Sequence, residues 1–156
     1  MIGDFMNEFV AKKLGEVHAF SVIGLEGAER GGDAFIEAIG ADNASGFTGK
    51  LSEFKTAVEA AGNDLTTAKS EKTTAKLRGM MEAYIGDDWD NPVELLEWLS
   101  FFTGSAAAHW SLVCGAANTI GHEGMQATAP AARDFYAARL QGVIDALEAV
   151  GAKRAA

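Results

Sequence analysis

A single cysteine, two prolines and a shortage of basic residues set the first limits on this chain of 156 residues. Cys114 has no partner for an internal disulfide, so a reducing, cytoplasmic setting is expected. Prolines stand only at positions 92 and 130, alanine is abundant and β-branched residues are few. Little therefore interrupts helices and little favours strands. Lys and Arg number 13 against 22 Asp and Glu, a net charge of -9. That deficit counts against nucleic acid and anionic membrane surfaces as partners. The opening MIGDFMNEFVAKKLG sets Asp4 and Glu8 among its apolar positions, which is not the order of a signal peptide.

What is present is an ordinary globular balance of 48% apolar and 22% charged residues, enough for one buried core, so 1–156 reads as a single domain. Eighteen glycines pull against helix and call for breaks or close helix contacts. The run 98–121, WLSFFTGSAAAHWSLVCGAANTIG, holds no formal charge. Roughly 20 apolar residues would cross a bilayer. This run instead carries serines, threonines, glycines, Asn118 and His109. Its flanks, Glu94, Glu97 and Glu123, lack the basic residues that anchor spans. The expectation is a core helix, buried on most of its circumference, with the other helices arranged around it and no membrane contact.

Periodicity places the remaining helices. Met6, Val10, Leu14, Val17, Ser21, Leu25 and Ala28 share one face of a first helix ending at Gly31-Gly32. Asp33 opens a short second helix, GADNASG follows as a loop, and Ser45 or Thr48 caps a third. In that third helix Leu51, Phe54, Val58 and Ala61 fall on one side. Gly62-Asn63-Asp64 is a break or a kink. The echo of Thr66-Thr67-Ala68-Lys69 in Thr73-Thr74-Ala75-Lys76 reads as a solvated helix face. Asn91-Pro92-Val93-Glu94 is a capping-box-like start. Behind it Leu95, Leu99, Phe102, Ala106, His109, Trp110, Val113, Ala117 and Ile120 share a face. After a loop, HEGMQATA, the last helix has Pro130 in its first turn and Tyr136, Leu140, Val143, Leu147 and Val150 inward.

The expected fold is thus all-α, an antiparallel helical bundle of four long segments plus one or two short helices. The segments fall at about 4–30, 34–39, 48–61, 64–86, 92–120 and 129–151. A ferritin-like up-down arrangement is among the architectures this fits. The matching di-metal chemistry is not, because it needs Glu-x-x-His pairs and the chain has none.

Three sequence features bear on chemistry. His18 and His109 each stand mid-helix on an expected core face, where two imidazoles at similar depth would hold a transition metal or a haem. Ser21, Trp110 and Gly104 would line such a ligand site, the small residues from Gly104 to Ala108 giving the slot. The commoner role for such a histidine is a core side chain bonded to a carbonyl or a serine. His122-Glu123 begins a zinc-protease signature, but Gln126 stands where its second histidine belongs. Beside a helix C-terminus, His122 reads instead as a favourable cation or a surface residue. Cys114 has no basic neighbour in sequence and reads as an inert thiol.

No complete catalytic constellation is legible. The leading expectation is a non-enzymatic interaction protein, self-associating as a homodimer through Phe5, Phe9, Phe20 and Ile23, with no cofactor required. The alternative is a haem-, metal- or small-molecule-binding bundle using His18 and His109.

Overall fold

A computed structural model describes residues 6–156 of the chain, so the expected start at Asp4, and Phe5, lie outside it. The described residues form helices and no strand: α1 (Glu8–Ile39), α2 (Ala41–Ala61), α3 (Asp64–Ile85), α4 (Pro92–Ile120) and α5 (Glu123–Ala155). None is long and apolar enough to cross a membrane.

Cross-helix contacts fix the directions. Gly15 meets Ser70, Glu26 meets Arg78 and Arg30 meets Glu82, a nearly constant offset that makes α1 and α3 parallel. Consecutive helices alternate in direction: Phe35 lies on Phe47, Tyr84 on Trp98 and Gly104 against Leu140. The bundle is therefore up-down throughout, with α1 and α3 packed as parallel neighbours inside it.

α1, not α4, stands at the centre. It packs against α2, α3 and α4 together. Its expected face is buried except for the half-buried Leu25, and Phe20 and Ile23, which face other neighbours, are buried too. Those two cannot serve a dimer interface, as they are core. α4 buries only part of its circumference. Leu95, Leu99, Phe102, Trp110 and Val113 are inside, while Phe101, Ser105, Ala108, Leu112 and Thr119 form a solvent-facing side. Its lack of charge is thus not a sign of all-round burial.

Helix limits differ from the expectation at three places, each for a physical reason. At Gly32 the backbone turns (φ 51, ψ -124), so the glycine break is real, but helix resumes at once and runs to Ile39. The expected loop GADNASG is the first two turns of α2, whose buried Ala44, Phe47, Leu51, Phe54, Val58 and Ala61 repeat at intervals of three and four. Apolar periodicity there outweighs the turn-forming composition, and Gly40, rather than Ser45 or Thr48, stands at the N-cap. The expected loop after Gly121 is likewise the start of α5, where Met125, Ala129, Ala132 and Tyr136 are buried. Pro130 lies inside that helix, not in its first turn.

The breaks at 62–63 and 91 are as expected. Asn63 accepts from the Leu65 and Thr66 N–H groups while Thr66 Oγ1 accepts from Asn63 N, a closed capping box. Asn91 accepts from Val93 N at 3.0 Å ahead of Pro92.

Candidate functional site

The site is built where α1, α2 and α3 meet, and glycine makes the meeting close. A Cβ on Gly15 would sit 2.5 Å from the Thr66 carbonyl oxygen and 2.8 Å from Lys69 Cβ. Only a glycine lets α3 lie so near α1. That approach brings Thr66 Oγ1 within 2.9 Å of the Ala11 carbonyl, to which it donates. One turn on, it brings Ser70 to His18. Thr66 and Ser70 are buried, so the polar half of α3 is not simply the solvated face its composition suggests.

His18 is held by both ring nitrogens. Nδ1 lies 2.6 Å from Ser70 Oγ and Nε2 lies 2.8 Å from Glu59 Oε2 on α2. Lys55 reaches the same Glu59 oxygen at 2.9 Å. The bond from His18, then the bond from Lys55, hold the Glu59 carboxyl below the usual carboxylate range, with burial opposing in part. An ionised carboxylate only accepts, so Nε2 carries the proton. In a neutral imidazole Nδ1 then presents its lone pair, and Ser70 must be the donor. With the ring neutral, the three groups form a carboxylate–imidazole–hydroxyl relay in which Ser70 donates.

The relay opens into a groove of about 400 Å³ lined by His18, Glu59, Asn63, Asp64, Thr66 and Ser70, among others. Asn63 commits its amide oxygen to the start of α3. Its amide nitrogen has no acceptor among the described residues and is a spare donor beside the groove.

His109 lies elsewhere. Its Nδ1 meets the Ser105 carbonyl at 2.8 Å, Nε2 lies 3.8 Å from Glu16 Oε2, and its ring is 5.0 Å from that of Phe20. Glu16 and Phe20 each stand two positions from His18, about 200° around a helix. The two histidines therefore flank α1 on opposite sides and hold no ligand in common. No group of three or more metal-ligating side chains occurs among the described residues. Glu16 does not join His18 either. It takes Lys13 at 3.1 Å and lies 4.0 Å from Lys69.

The other candidate lining residues lie away from both histidine ligand faces. Gly104 is half-buried and faces Leu140, whose Cδ2 stands 3.7 Å from where its Cβ would be. Ser21 and Trp110 are fully buried, and neither Ser21 Oγ nor Trp110 Nε1 has a hydrogen-bond partner among the described residues. Tyr136 OH is the same. Burial pushes its pKa far up, and the nearby Ser21 opposes that only slightly, without closing a bond. These orphaned atoms lie among tilted aromatic rings, with Phe54 5.9 Å from Trp110 and 6.1 Å from Tyr136.

His122 is half-buried rather than a free surface residue. It is the N-cap of α5, its Nδ1 accepting from Met125 N at 3.1 Å. Cys114 is buried, and burial raises its pKa despite Arg133, whose Nη1 lies 3.9 Å from the sulfur. The thiol stays protonated, as an inert cysteine should.

Sequence reasoning found His18 but missed Ser70, Glu59 and Asn63 as its company. One signal was present: Thr66, Ser70, Leu77, Met81 and Ile85 continue a single helical face from the apolar half of α3 into its polar half. That face implied burial of Ser70. The pairing across 52 residues left no local trace. The chain matches no known family model, no characterised protein and no solved structure.

Proposed function

We propose that this chain binds a small polar molecule in the groove around His18. The observation that carries the reading is a buried serine and a doubly hydrogen-bonded histidine opening together into a space of about 400 Å³. Ligand sites commonly fall at roughly 300–1,000 Å³, with a few convergent polar groups. Charge selects the ligand class. Glu59, Asp64 and Glu71 line the groove and Lys55 is tied to Glu59, so a neutral or cationic molecule is favoured over an anion. A haem or metal shared by His18 and His109 has no support, since α1 stands between them.

The test is a library of small fragments sorted by charge, read by amide chemical-shift changes in labelled protein. Neutral and cationic hits should perturb residues around His18, Asn63, Thr66 and Ser70, and lose that effect in His18→Ala. Hits scattered over the surface, or indifferent to His18, would refute the reading.

Self-association is the second reading, and one observation favours it. Beyond Glu94 and Glu97 the outward side of α4 carries no charge, and next to them Phe101 is 59% exposed. Tyr84 packs on Phe101 at 5.1 Å and Met80 stands exposed one turn away on α3. A patch of this kind suits a second copy of the chain. It replaces the Phe20 and Ile23 surface, which is buried. Light scattering should report a dimer that Phe101→Glu converts to monomer. A monomer at all concentrations would end this reading.

A further inference from the structure

We infer that Ser70 is a nucleophile activated by His18, and that the groove performs acyl transfer on an uncharged ester. This rests on the ligand-binding reading of the same groove and adds a reaction to it.

Three features of the relay go beyond ligand binding. First, Ser70 stands against a base: Oγ lies 2.6 Å from Nδ1, and the opposite nitrogen is engaged by Glu59. A hydroxyl is a poor nucleophile until a neighbouring base takes its proton in the transition state. Second, the base is itself oriented. The carboxylate on Nε2 fixes the tautomer and stabilises the imidazolium that forms, the role a carboxylate plays in serine hydrolysis. Here the two ring nitrogens are exchanged relative to that template, which leaves the chemistry unaltered because each is an in-plane donor or acceptor. Third, Ser70 reaches the groove although its residue is almost wholly buried, so its hydroxyl meets a bound ligand rather than bulk water. The groups around His18 are Glu59 and Lys55 from α2, and Ser70, Glu71 and Asp64 from α3. None but Lys55 is cationic, and Lys55 is paired.

The step balances. Ser70 Oγ bonds to the ester carbonyl carbon while its proton passes to His18 Nδ1. The ester C–O bond then breaks, and that proton goes to the departing alkoxide, which leaves as an alcohol. Water, deprotonated by the same nitrogen, attacks the acyl-serine, releases the acid and restores Ser70. The spare Asn63 amide donor lies on the groove wall, while the first N–H groups of α3 are already taken by the Asn63 cap. Ser70 and His18 touch the reacting atoms. Glu59 is a positioning residue.

The full chain is treated with a small fluorophosphonate, which loses fluoride as phosphorus bonds to an activated serine, and is read by intact mass and peptide mapping. One phosphonyl group on Ser70 is expected, with exposed Ser45, Ser52 and Ser111 as unreactive references. Ser70→Ala should abolish labelling and His18→Ala should slow it at least ~100-fold. His18→Gln, which keeps a hydrogen-bonding side chain, should behave like the alanine variant and guards against simple unfolding. Glu59→Gln should slow labelling at least ~10-fold, and Glu59→Asp should restore part of the rate. Ser70 unlabelled, or labelled at full rate without His18, overturns the nucleophile. If fragments still perturb the groove of that unlabelled protein, the binding reading stands alone. If they do not, both readings fall.

Discussion

Replacing Gly15 by alanine tests the helix contact on which the groove depends. In a helix, alanine is preferred to glycine by about 1 kcal/mol, so the substitution stabilises if nothing else intervenes. Here the new methyl would lie 2.5 Å from the Thr66 carbonyl oxygen, 2.8 Å from Lys69 Cβ and 3.0 Å from Ser70 N, where ordinary contact begins at 3.4 Å. Two of these are backbone atoms that cannot swing aside, so α3 must retreat. Overpacking costs about 1–3 kcal/mol. Retreat also stretches the Thr66-to-Ala11 and Ser70-to-His18 hydrogen bonds, worth about 0.5–1.5 kcal/mol each. The net expectation is a loss of about 2–4 kcal/mol, seen as a fall in melting temperature of roughly 5–15 °C for a chain this size. Gly79→Ala is the control, since Gly79 lies in α3 with nothing within 4 Å of its Cβ position. It should stabilise by about 0.5–1 kcal/mol. Urea melts of both variants with an unchanged slope would make the comparison. A Gly15→Ala protein as stable as Gly79→Ala would refute the close approach.

Other consequences can be measured alongside. The chain has two tyrosines, and both phenol pKa values are raised, that of buried Tyr136 by its burial and that of Tyr84 by burial and then its bond to Glu97. A group with a raised folded pKa stabilises fully below its unfolded value near 10 and loses that contribution above it. Absorbance of phenolate should therefore lag a free-tyrosine titration and emerge with unfolding at high pH. An early two-tyrosine titration of folded protein would contradict this. Glu59 has the opposite sign: its lowered pKa stabilises above the unfolded value and that contribution fades as pH falls through the folded one. The gap in urea midpoint between the native chain and Glu59→Gln should be open at pH 7 and narrow below about pH 4.5. A gap independent of pH would count against an ionised Glu59. His122→Ala removes the cap of α5 and should cost about 1 kcal/mol, while His122→Asn, a good cap, should cost less. Equal losses would show that His122 does not act as a cap.

The helical class, the interruption at Gly62-Asn63, the Asn91 start and much of the buried faces of α1 and α4 were legible because each is written in local spacing or capping chemistry. The 40s segment and the start of α5 misled because Gly, Asn, Ser and His marked turns there, while Ala44, Phe47, Met125 and Ala129 kept the helical period and drew those residues into the core. The centre of the bundle was misplaced for a different reason. Absence of charge in 98–121 says that no residue must reach water, not that every side is covered, and Phe101 stands exposed. The site was half visible. Spacing placed His18 on an inward face, but nothing local could place Glu59 and Ser70 on its two nitrogens, since helix order and the Gly15 approach decide that. His109 shows the converse. It shares the face of Trp110 by angle, yet sits at that face's edge against Glu16 and Phe20.

The proton positions on His18 can be read directly by long-range proton–nitrogen correlation of imidazole-labelled protein near neutral pH. Protonation at Nε2 facing Glu59, with Nδ1 accepting from Ser70, is the arrangement that the activated serine requires, and Ser70→Ala should shift Nδ1 alone. A His18 protonated at Nδ1 would mean that Ser70 accepts rather than donates. The activated serine, and the reason for placing function in this groove, would then be lost.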